Sequence, residues 1–546
     1  MLPLSFQTFV CASLSWIVWC FLRKKIRPTA FDNLPGPKPA SILMGSMKEI
    51  YDKDGWGFHK NIAAKYGSVM RVKGMFGENQ LYVFDPKALY NIFVKDQDIY
   101  EESPFFLTFN RLSYGEGLLA TLGAQHKKQR KMLNPVFSTA HMRDMVPIFY
   151  EVVYKLRKAI GKKVENGPRE VEMMTWITRT ALELIGQTGI GYSFDSLEED
   201  VPSHRYVKAA VAYIPSVYKL RFIAPVFGPM LEKIGTPAFR RFLVDICPWK
   251  ALHEARDIVD IMHETSLEIY AEKKQALADG DEALSAKVGQ GKDIMSILMR
   301  ANMSASKEDS LTESELIGQM SSLIFAAMDT TSNALSRTLY LLAQNPGTQE
   351  RLRQEFSEAR EEYGGGDVPF DRLVALPYLD AVCRETLRVY PPVTLTHRVT
   401  TQDVVLPLSQ PVKGLDGQEI REILLPKNTE ITTSLLSSNI NPDIWGPDAD
   451  EWKPERWLSP LPETVTNARI PGVYSNLMTF IGGNRACIGF KFSQLEMKIV
   501  LSLLVEAFCF SPSKHEIEWH MNSITSPMIK GSDSAVPLLP LLVERV

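Results

Sequence analysis

Apolar residues recur at helical spacing through most of this chain. The longest such pattern begins after Ser310 and runs until Asn345-Pro346 interrupts it. Thr312, followed three residues later by Glu315, predicts a capping box at its start. A helix of about 33 residues would be about 50 Å long, enough to traverse a whole domain.

Two short stretches alternate instead of repeating at helical spacing. Residues 68–72 and 80–84 have this period of two and predict strands of a minor sheet. Helical spacing returns at 378–390, which a Pro-Pro pair ends, and again at 491–504. The segment 275–291, which contains several glycines, predicts a surface loop. The pattern therefore predicts a mainly α fold with small β-sheets.

The first 22 residues differ from the rest. From Leu2 to Leu22 the chain carries no charge, and a basic cluster follows at once. About 20 apolar residues are enough to cross a bilayer as a helix, and the basic side should face the cytosol. A cleaved signal peptide is the alternative, but the basic residues follow the apolar run rather than precede it. We predict three parts: a transmembrane anchor at 1–22, a basic and proline-rich hinge at 23–40, and a catalytic domain at 41–546.

Composition excludes some classes of protein. The formal net charge of −3 argues against a nucleic-acid-binding protein, which would normally be basic. The six cysteines are scattered and form no CxxC pair, which suits a reducing compartment. Hydrophobic residues make up 45% of the chain, an ordinary value for a globular protein.

The most distinctive chemistry lies at Cys487. This residue sits in a glycine-rich turn, two residues after Arg485 and just before a predicted helix. A helix N-terminus and a nearby cation both favour a thiolate, which is the form that binds metals. One cysteine cannot build a zinc or iron–sulfur site, but it can be the axial ligand of a heme. Phe480 offers an apolar face for such a ring. A buried structural cysteine in a tight turn is the alternative. The glycines of the turn, which would let the backbone approach a flat partner, are Gly482, Gly483 and Gly489.

The spacing Phe-x-x-Gly-x-Arg-x-Cys-x-Gly over residues 480–489 resembles the heme-binding signature of the cytochrome P-450 family. This resemblance implies the cytochrome P-450 fold, with a large helical part around a long central helix and a smaller β-rich part. It also implies heme b as the cofactor, with Cys487 as its axial ligand and Phe480, Gly483, Arg485 and Gly489 around it.

The long helix carries a second motif, Ala-Ala-Met-Asp-Thr-Thr at 326–331. Small residues on one helix face usually serve packing, but they also leave a notch that a flat cofactor could enter. The motif resembles the oxygen-activation motif of the same family, in which Asp329 and Thr330 would relay protons. Ala326 and Ala327 would then border the heme, although the family usually has glycine where Ala327 stands.

Further family positions follow in order. Glu385, Arg388 and Arg456 resemble a structural Glu-Arg-Arg network that holds the cysteine loop. Heme propionates require cationic partners, and the resemblance assigns Arg485, Arg398 and Arg130 to them. His126 replaces the usual tryptophan beside Arg130. The run from Arg130 to Phe137 is similar to fungal members in particular.

Substrate contacts in the family come from four segments. Here these include the stretch after Pro392 and a late loop near Ser526 and Pro527. The residues concerned are apolar and suit a lipophilic molecule, although each phenylalanine could simply pack in the core. The candidate pocket residues are Phe105, Phe106, Phe109, Phe325, Val393 and Leu395.

The resemblance implies a monooxygenase that inserts one atom of O₂ into a lipophilic small molecule. We expect fungal secondary metabolism or xenobiotic oxidation, with a terpenoid or steroid-like substrate.

The chain has no flavin or nicotinamide fingerprint, so electrons from NADPH should arrive through the membrane-bound NADPH–cytochrome P-450 reductase, with cytochrome b5 as a second candidate donor. The expected location is the endoplasmic reticulum membrane, with one span in membrane lipid and a cytosolic catalytic domain. A basic docking surface for reductase is expected from Lys127, Lys128, Lys131 and Lys491.

Two alternatives remain open. A heme-thiolate isomerase or dehydratase would need no reductase, although it would also need no proton relay at Asp329 and Thr330. A non-catalytic heme-binding sensor would use Cys487 without consuming NADPH.

Overall fold

Helices carry most of the chain. The structure, a computed structural model, describes residues 30–201, 204–280, 288–289, 291–534 and 536–546. The predicted anchor lies outside these residues. Within them, no helix combines the length and the apolar character needed to span a bilayer. The helices are α1 Met47–Ile50, α2 Trp56–Tyr66, α3 Pro86–Tyr90, α4 Pro104–Tyr114, α5 Gly123–Leu133, α6 Thr139–Lys163, α7 Met173–Leu184, α8 Arg205–Tyr218, α9 Ala224–Leu231, α10 Pro237–Ile246, α11 Lys250–Asp279, α12 Ile294–Ser304, α13 Glu313–Gln344, α14 Pro346–Glu361, α15 Phe370–Val374, α16 Pro377–Val389, α17 Leu435–Asn439, α18 Pro442–Trp445, α19 Glu463–Ala468 and α20 Phe490–Ala507.

The strands form small sheets between the helices. They are β1 Val69–Lys73, β2 Asn79–Val83, β3 Tyr100–Glu101, β4 Arg169–Glu172, β5 Leu395–Thr400, β6 Val404–Lys413, β7 Glu419–Leu425, β8 Glu430–Ser434, β9 Phe508–Pro512, β10 Ile517–His520, β11 Ser526–Ile529 and β12 Pro540–Arg545. The largest sheet in the described part has the order β1-β2-β8-β5-β3, with β2 and β8 parallel and its other pairs antiparallel. The others are β4-β12-β9, β6-β7 and β10-β11. The predicted minor strands are thus confirmed as β1 and β2.

The long helix predicted after Ser310 is confirmed as α13. The Thr312 hydroxyl accepts the Glu315 N–H at 3.2 Å, and the Glu315 carboxylate accepts the Thr312 N–H at 2.8 Å, so both halves of the capping box are present. α13 packs against α7, α20 and α16, which places it in the main hydrophobic core.

Other predicted elements agree with the structure in type. α16 and α20 match the predicted helices at 378–390 and 491–504 within a few residues. The loop prediction for 275–291 is wrong in its first part, because α11 continues to Asp279 before Gly280 ends it with a positive φ of 103°. Apolar residues every third or fourth position keep that helix packed into its last turn, where Ala276 is buried.

Candidate active site

The cysteine loop is shaped by close backbone contacts. Cys487 donates its N–H to the Phe480 carbonyl at 3.0 Å, across a short 3₁₀ turn at Gly483–Arg485. Gly483 has a φ of +70°, and a Cβ there would lie 1.7 Å from the Phe93 carbonyl oxygen. Gly482 is equally confined, since a Cβ would lie 1.6 Å from the Pro471 carbonyl oxygen. These two glycines are therefore required by neighbouring protein backbone, and their predicted approach to a flat partner stays a prediction.

Gly489 differs from them. Its nearest contact for an added Cβ is the Phe137 ring at 3.9 Å, which is ordinary van der Waals distance. Phe480 packs between the rings of Tyr474 and Phe490, with centroids 5.7 and 6.2 Å away. The loop is thus held from one side by aromatic packing.

The Cys487 thiol borders an internal space. Burial raises its pKa, while a hydrogen bond from the Gly489 N–H and the charge of Arg130 act to lower it. The sequence suggested a thiol with a lowered pKa beside Arg485. The direction is the opposite here, and the cation that acts on the thiol is Arg130. Although the thiol lies deep in the protein, Cys487 keeps an exposed surface. A residue that lies deep in the protein and still has accessible surface must face a cavity.

The middle of α13 faces a cavity as well. Residues 315–324 and 331–339 are buried, whereas Phe325, Ala326, Ala327, Asp329 and Thr330 between them are partly accessible. Accessible surface flanked by buried turns on both sides of a core helix indicates an internal space. The Thr331 hydroxyl donates to the Ser493 hydroxyl at 3.2 Å and so joins α13 to α20, the helix that follows Cys487.

Asp329 and Thr330 supply an acid beside an alcohol in this cavity. Burial raises the pKa of Asp329 to about 7. Thr330 Oγ1 donates to the Ala326 carbonyl at 2.7 Å, one turn back along the helix. The Asp329 carbonyl accepts from Asn333 Nδ2 at 2.8 Å and from Ser332 Oγ at 3.2 Å. Side-chain hydrogen bonds therefore hold the backbone of this turn, and the Asp329 carboxyl is poised to exchange a proton at neutral pH.

The three candidate propionate arginines lie near one another. Burial lowers the pKa of Arg485, and Arg398 and Arg130 lower it further, while Glu102 and Glu101 raise it. Arg130 donates to the Ala486 carbonyl at 2.7 Å, and Arg485 donates to the Thr121 carbonyl at 2.6 Å.

Arg398 shows the clearest unmet hydrogen-bonding capacity of this cluster. It is 2% exposed and contacts Glu102 at 2.9 Å, but its Nη2 is buried without a partner in the described chain. A buried donor with no acceptor is costly, so the cluster suits an added anionic group. Burial, with help from Arg485, lowers the pKa of His126 to about 3, so this imidazole is a neutral donor.

The Glu385, Arg388 and Arg456 side chains meet in the core. Arg388 Nε and Nη2 donate to the two Glu385 oxygens at 2.8 Å each, and Arg456 Nε lies 3.4 Å from Glu385. Glu385 also accepts the Lys453 N–H at 3.0 Å and Trp457 Nε1 at 2.9 Å. This carboxylate therefore ties α16 to the segment that leads to the cysteine loop.

Aromatic rings from three helices form one connected cluster around Phe325, at the accessible turn of α13. Phe105 contacts Phe109, which contacts Tyr213, and Tyr213 and Tyr114 both contact Phe325, with centroids 4.7 to 6.1 Å apart. Tyr114 and Tyr213 were missed by sequence reasoning. Tyr114 lies on the same helix as the phenylalanines and was within reach of a periodicity argument, whereas nothing local marks Tyr213.

The other candidate pocket residues take different positions. Phe106 occupies the third position of α4, where its N–H donates to Ser103 Oγ at 3.2 Å. Val393 packs against the main core, and Leu395 packs against a smaller core that includes Met70 and Tyr82. Leu395 thus contributes to the β1–β2–β8 sheet, and its predicted substrate contact stays a prediction.

The four candidate docking lysines already have partners. Lys127 lies 3.3 Å from Asp98, Lys131 lies 3.4 Å from Asp309, and Lys128 lies 3.9 Å from Glu315. Lys491 donates to Thr139 Oγ1 at 2.9 Å. The pairs of Lys127 and Lys131 are exposed on both sides and are therefore weak. Only these two lysines offer charge that an acidic partner could take over at little cost.

Together these features form an internal cavity with a thiol at one wall, an acid–alcohol pair on α13, and buried cations with an unsatisfied donor. Such a space fits a flat cofactor with carboxylates. The family model described as Cytochrome P450 matches residues 35–530. A Postia placenta protein named cytochrome P450 monooxygenase 91 is 51% identical over 98% of each chain. The ganoderic acid synthetase of Ganoderma lucidum is 44% identical over 98% of each chain.

Proposed function

The chain belongs to the cytochrome P450 family, and from this premise we propose a reductase-dependent monooxygenase of lipophilic small molecules. Family membership makes it a monooxygenase with a cysteine-ligated heme. The observation that carries the proposal is the accessible turn of α13, which places Asp329 and Thr330 in the same internal region as the Cys487 thiol.

The residues present fit a heme. Cys487 would bind its iron, with Phe480 packed beside the cysteine loop and Ala326 and Ala327 leaving room on the α13 side. Arg130, Arg485 and Arg398 would hold its propionates, with His126 as a neutral donor and the unpartnered Arg398 Nη2 gaining an acceptor. When bound, a thiolate-ligated heme supplies the activation of O₂.

The chain itself supplies protons. A carboxyl with a pKa of about 7 is present in both protonation states at neutral pH, so Asp329 can give up a proton and regain it. Thr330 holds a hydroxyl proton one residue further along the same turn. Its hydrogen bond to Ala326 is to a backbone carbonyl and breaks when the hydroxyl rotates. We therefore assign proton delivery to this pair.

The substrate is proposed to be a terpenoid or steroid-like compound of fungal secondary metabolism. An aromatic wall supports a rigid apolar molecule, because aromatic faces bury large apolar areas. Its accessible rings are Phe105, Phe109 and Phe325, and the buried rings of Tyr114 and Tyr213 pack against them. The relatives include a protein named ganoderic acid synthetase, which supports an oxidised fungal metabolite as the product.

Electrons are proposed to come from NADPH through the membrane-bound reductase, with cytochrome b5 as a second donor. Lys127 and Lys131 are the exposed lysines that would meet an acidic partner. We place the protein on the endoplasmic reticulum membrane, with the catalytic domain in the cytosol. The apolar run at 2–22 supports this location, as do exposed apolar side chains on α9 and α10, namely Phe227, Met230, Phe239, Phe242 and Ile246.

The test is expression of the full chain with reductase and measurement of the ferrous carbon-monoxide spectrum. The wild-type protein should give the red-shifted Soret band of a thiolate heme. Cys487→Ala should lose it, whereas the control Cys509→Ala should keep it. A retained band in Cys487→Ala would remove the ligand assignment.

Turnover separates the proposal from its alternatives. A monooxygenase consumes NADPH and O₂ with substrate present and yields a product heavier by one oxygen. An isomerase or dehydratase would form product without reductase, and a heme sensor would form none.

A further inference from the structure

Two carboxylates and an imidazole meet where the segment before α2 contacts β10. Asp54 lies shortly before α2, and Glu518 and His520 lie on β10. One ligand atom from each of the three side chains lies within 4.8 Å of the other two. Imidazole nitrogen and carboxylate oxygen together form a ligand set that suits a transition metal. No other group of this kind occurs among the residues that the structure describes.

The strand orients two of these side chains. Glu518 and His520 are separated by one residue on β10, so their side chains point to the same face of the hairpin that β10 forms with β11. Their partners across the hairpin are Met528 and Ser526. The pairing to β11 fixes the backbone of both residues, which places the carboxylate and the imidazole side by side.

Contacts on either side of Asp54 hold it against the same strand. Met521 donates its N–H to the Lys53 carbonyl at 2.6 Å, just before Asp54 in the chain. Trp56 Nε1 donates to the Trp519 carbonyl at 2.6 Å, just after it. The third carboxylate is thus positioned by hydrogen bonds that are independent of the cluster itself.

His520 Nε2 distinguishes this cluster from an ordinary group of surface acids. The atom is buried and has no hydrogen-bond partner in the described chain. It faces Asp54 Oδ1 at 3.7 Å and Glu518 Oε2 at 3.9 Å, which is too far for hydrogen bonds. Ligands that each lie about 2.1 Å from a tetrahedral ion are about 3.4 Å apart, so these separations are close to those that a shared ion requires.

The surrounding charges leave the ligands available. Burial, with help from Lys53, lowers the pKa of His520, although Asp54 and Glu518 act to raise it. A neutral imidazole keeps a lone pair for a metal. Lys53 lies 3.8 Å from Asp54, and Lys530 lies 3.7 Å from Glu518. All four of these side chains are exposed, so the pairs are weak and a divalent ion can replace the lysines at little cost.

The cluster is open to solvent on its carboxylate side. The Asp54 side chain is 60% exposed and that of Glu518 is 37% exposed, whereas that of His520 is 12% exposed. An ion can therefore arrive from water, meet the carboxylates first and reach the imidazole behind them.

We propose that Asp54, Glu518 and His520 bind a zinc ion, with water at the fourth position. The ion joins the segment before α2 to the β10–β11 hairpin and stabilises their contact. Magnesium and calcium prefer oxygen ligands and gain little from an imidazole, so the site selects against them. None of the three ligands belongs to the candidate active site, and the proposal does not depend on the proposed function.

The test is a zinc titration of the heme-loaded full-length protein, purified without a histidine tag and freed of metal by dialysis against a chelator. Calorimetry with zinc chloride should show one site per chain. Zinc should also raise the unfolding temperature, because the three ligands meet only in the folded protein. His520→Gln should weaken zinc binding by at least about 10-fold, since changing even a residue behind a metal ligand costs about 10- to 100-fold in affinity.

His515→Gln is the matched control. His515 lies just before β10, and its Nε2 also faces a carboxylate, Glu170 Oε1 at 3.4 Å, but it does not belong to the cluster of three. This variant should bind zinc as the wild-type protein does. Glu518→Gln keeps the size of a partly exposed side chain and should weaken binding by at least about 10-fold. It carries the test if His520→Gln fails to fold.

Three results would overturn the proposal. The first is wild-type protein that shows no saturable zinc binding. The second is an unchanged zinc affinity in His520→Gln or in Glu518→Gln. The third is magnesium that displaces zinc at equal concentration, because it would reduce the cluster to an acidic surface that attracts any divalent cation.

Discussion

Glu385→Gln is expected to be among the most destabilising single substitutions in this protein. The Glu385 and Arg388 side chains are both 0% exposed and are joined by two hydrogen bonds of 2.8 Å. Glutamine keeps the shape of glutamate, but it removes the charge and turns an N–H₂ group toward the guanidinium. Arg388 would then remain as a buried cation without a carboxylate.

The magnitude follows from burial. Breaking a buried ion pair by removing one partner costs about 3 to 5 kcal/mol. Arg388 cannot move out to water, since it also donates to the carbonyls of Asn439 and Glu451 at 3.1 Å each. Glutamine has a single acceptor oxygen, so it can accept either the Lys453 N–H, now at 3.0 Å from Glu385, or Trp457 Nε1, now at 2.9 Å, but not both. We therefore expect a loss at the upper end of that range.

An exposed pair offers a matched control. Glu362 and Arg372 are joined by two hydrogen bonds of 2.8 Å, as Glu385 and Arg388 are, but their side chains are 50% and 34% exposed. Glu362→Gln should cost far less stability than Glu385→Gln, because water screens the pair and solvates what remains. The Glu362 pair shares the ion-pair geometry but lacks the burial and the further donors to Glu385, which are Lys453, Arg456 and Trp457.

The assay is urea unfolding of both variants at neutral pH, followed by far-ultraviolet circular dichroism. The carbon-monoxide spectrum is recorded in parallel. Glu385→Gln should also lose thiolate heme, because Glu385 holds the segment at 453–457 that leads to the cysteine loop. A loss below about 1 kcal/mol, or one equal to that of Glu362→Gln, would refute the reasoning.

Three further predictions concern the cavity. Asp329 has a pKa of about 7 in the folded protein and near 4 when unfolded, so between these values the folded state binds more protons and wild-type stability falls as pH rises. Asp329→Asn should therefore gain stability relative to wild type from pH 4 to 7 and level off above, and unfolding at a series of pH values checks this; a constant difference would contradict it. Thr330→Ala should divert NADPH electrons to hydrogen peroxide, measured as peroxide per NADPH, and fully coupled turnover would exclude Thr330 from proton delivery. Gly483→Ala should lower the free energy of unfolding by at least about 3 kcal/mol, because its Cβ would meet the Phe93 carbonyl oxygen at a positive φ. Gly489→Ala should lower it by less than about 1 kcal/mol. Equal losses of stability in unfolding experiments would contradict the assigned roles.

Local features were predicted well from the sequence. The capping box at Thr312 and the strands β1 and β2 depend on neighbours within a few residues, and the structure contains them as predicted. The pairing of Glu385 with Arg388 also follows from helical spacing. The error at 275–291 arose because the glycines of this segment indicate a loop, while packing of the apolar face kept α11 helical to Asp279.

Contacts between distant segments could not be predicted in the same way. The charge that acts on the Cys487 thiol comes from Arg130, 357 positions earlier, and not from its sequence neighbour Arg485. Gly482 and Gly483 are fixed by the carbonyls of Pro471 and Phe93, which no local pattern reveals. Tyr213 joins the aromatic wall only because α8 packs near α4 and α13.

The sequence by itself determined the helices and strands, the cysteine loop and the order of its motifs, because these depend on spacing along one chain. The family resemblance read from those motifs is borne out by the match over residues 35–530. The tertiary structure alone decided which groups became buried together. Burial sets the pKa of Asp329 near neutrality and raises that of the Cys487 thiol. Desolvation depends on every element packed around a group and not on its neighbours in sequence.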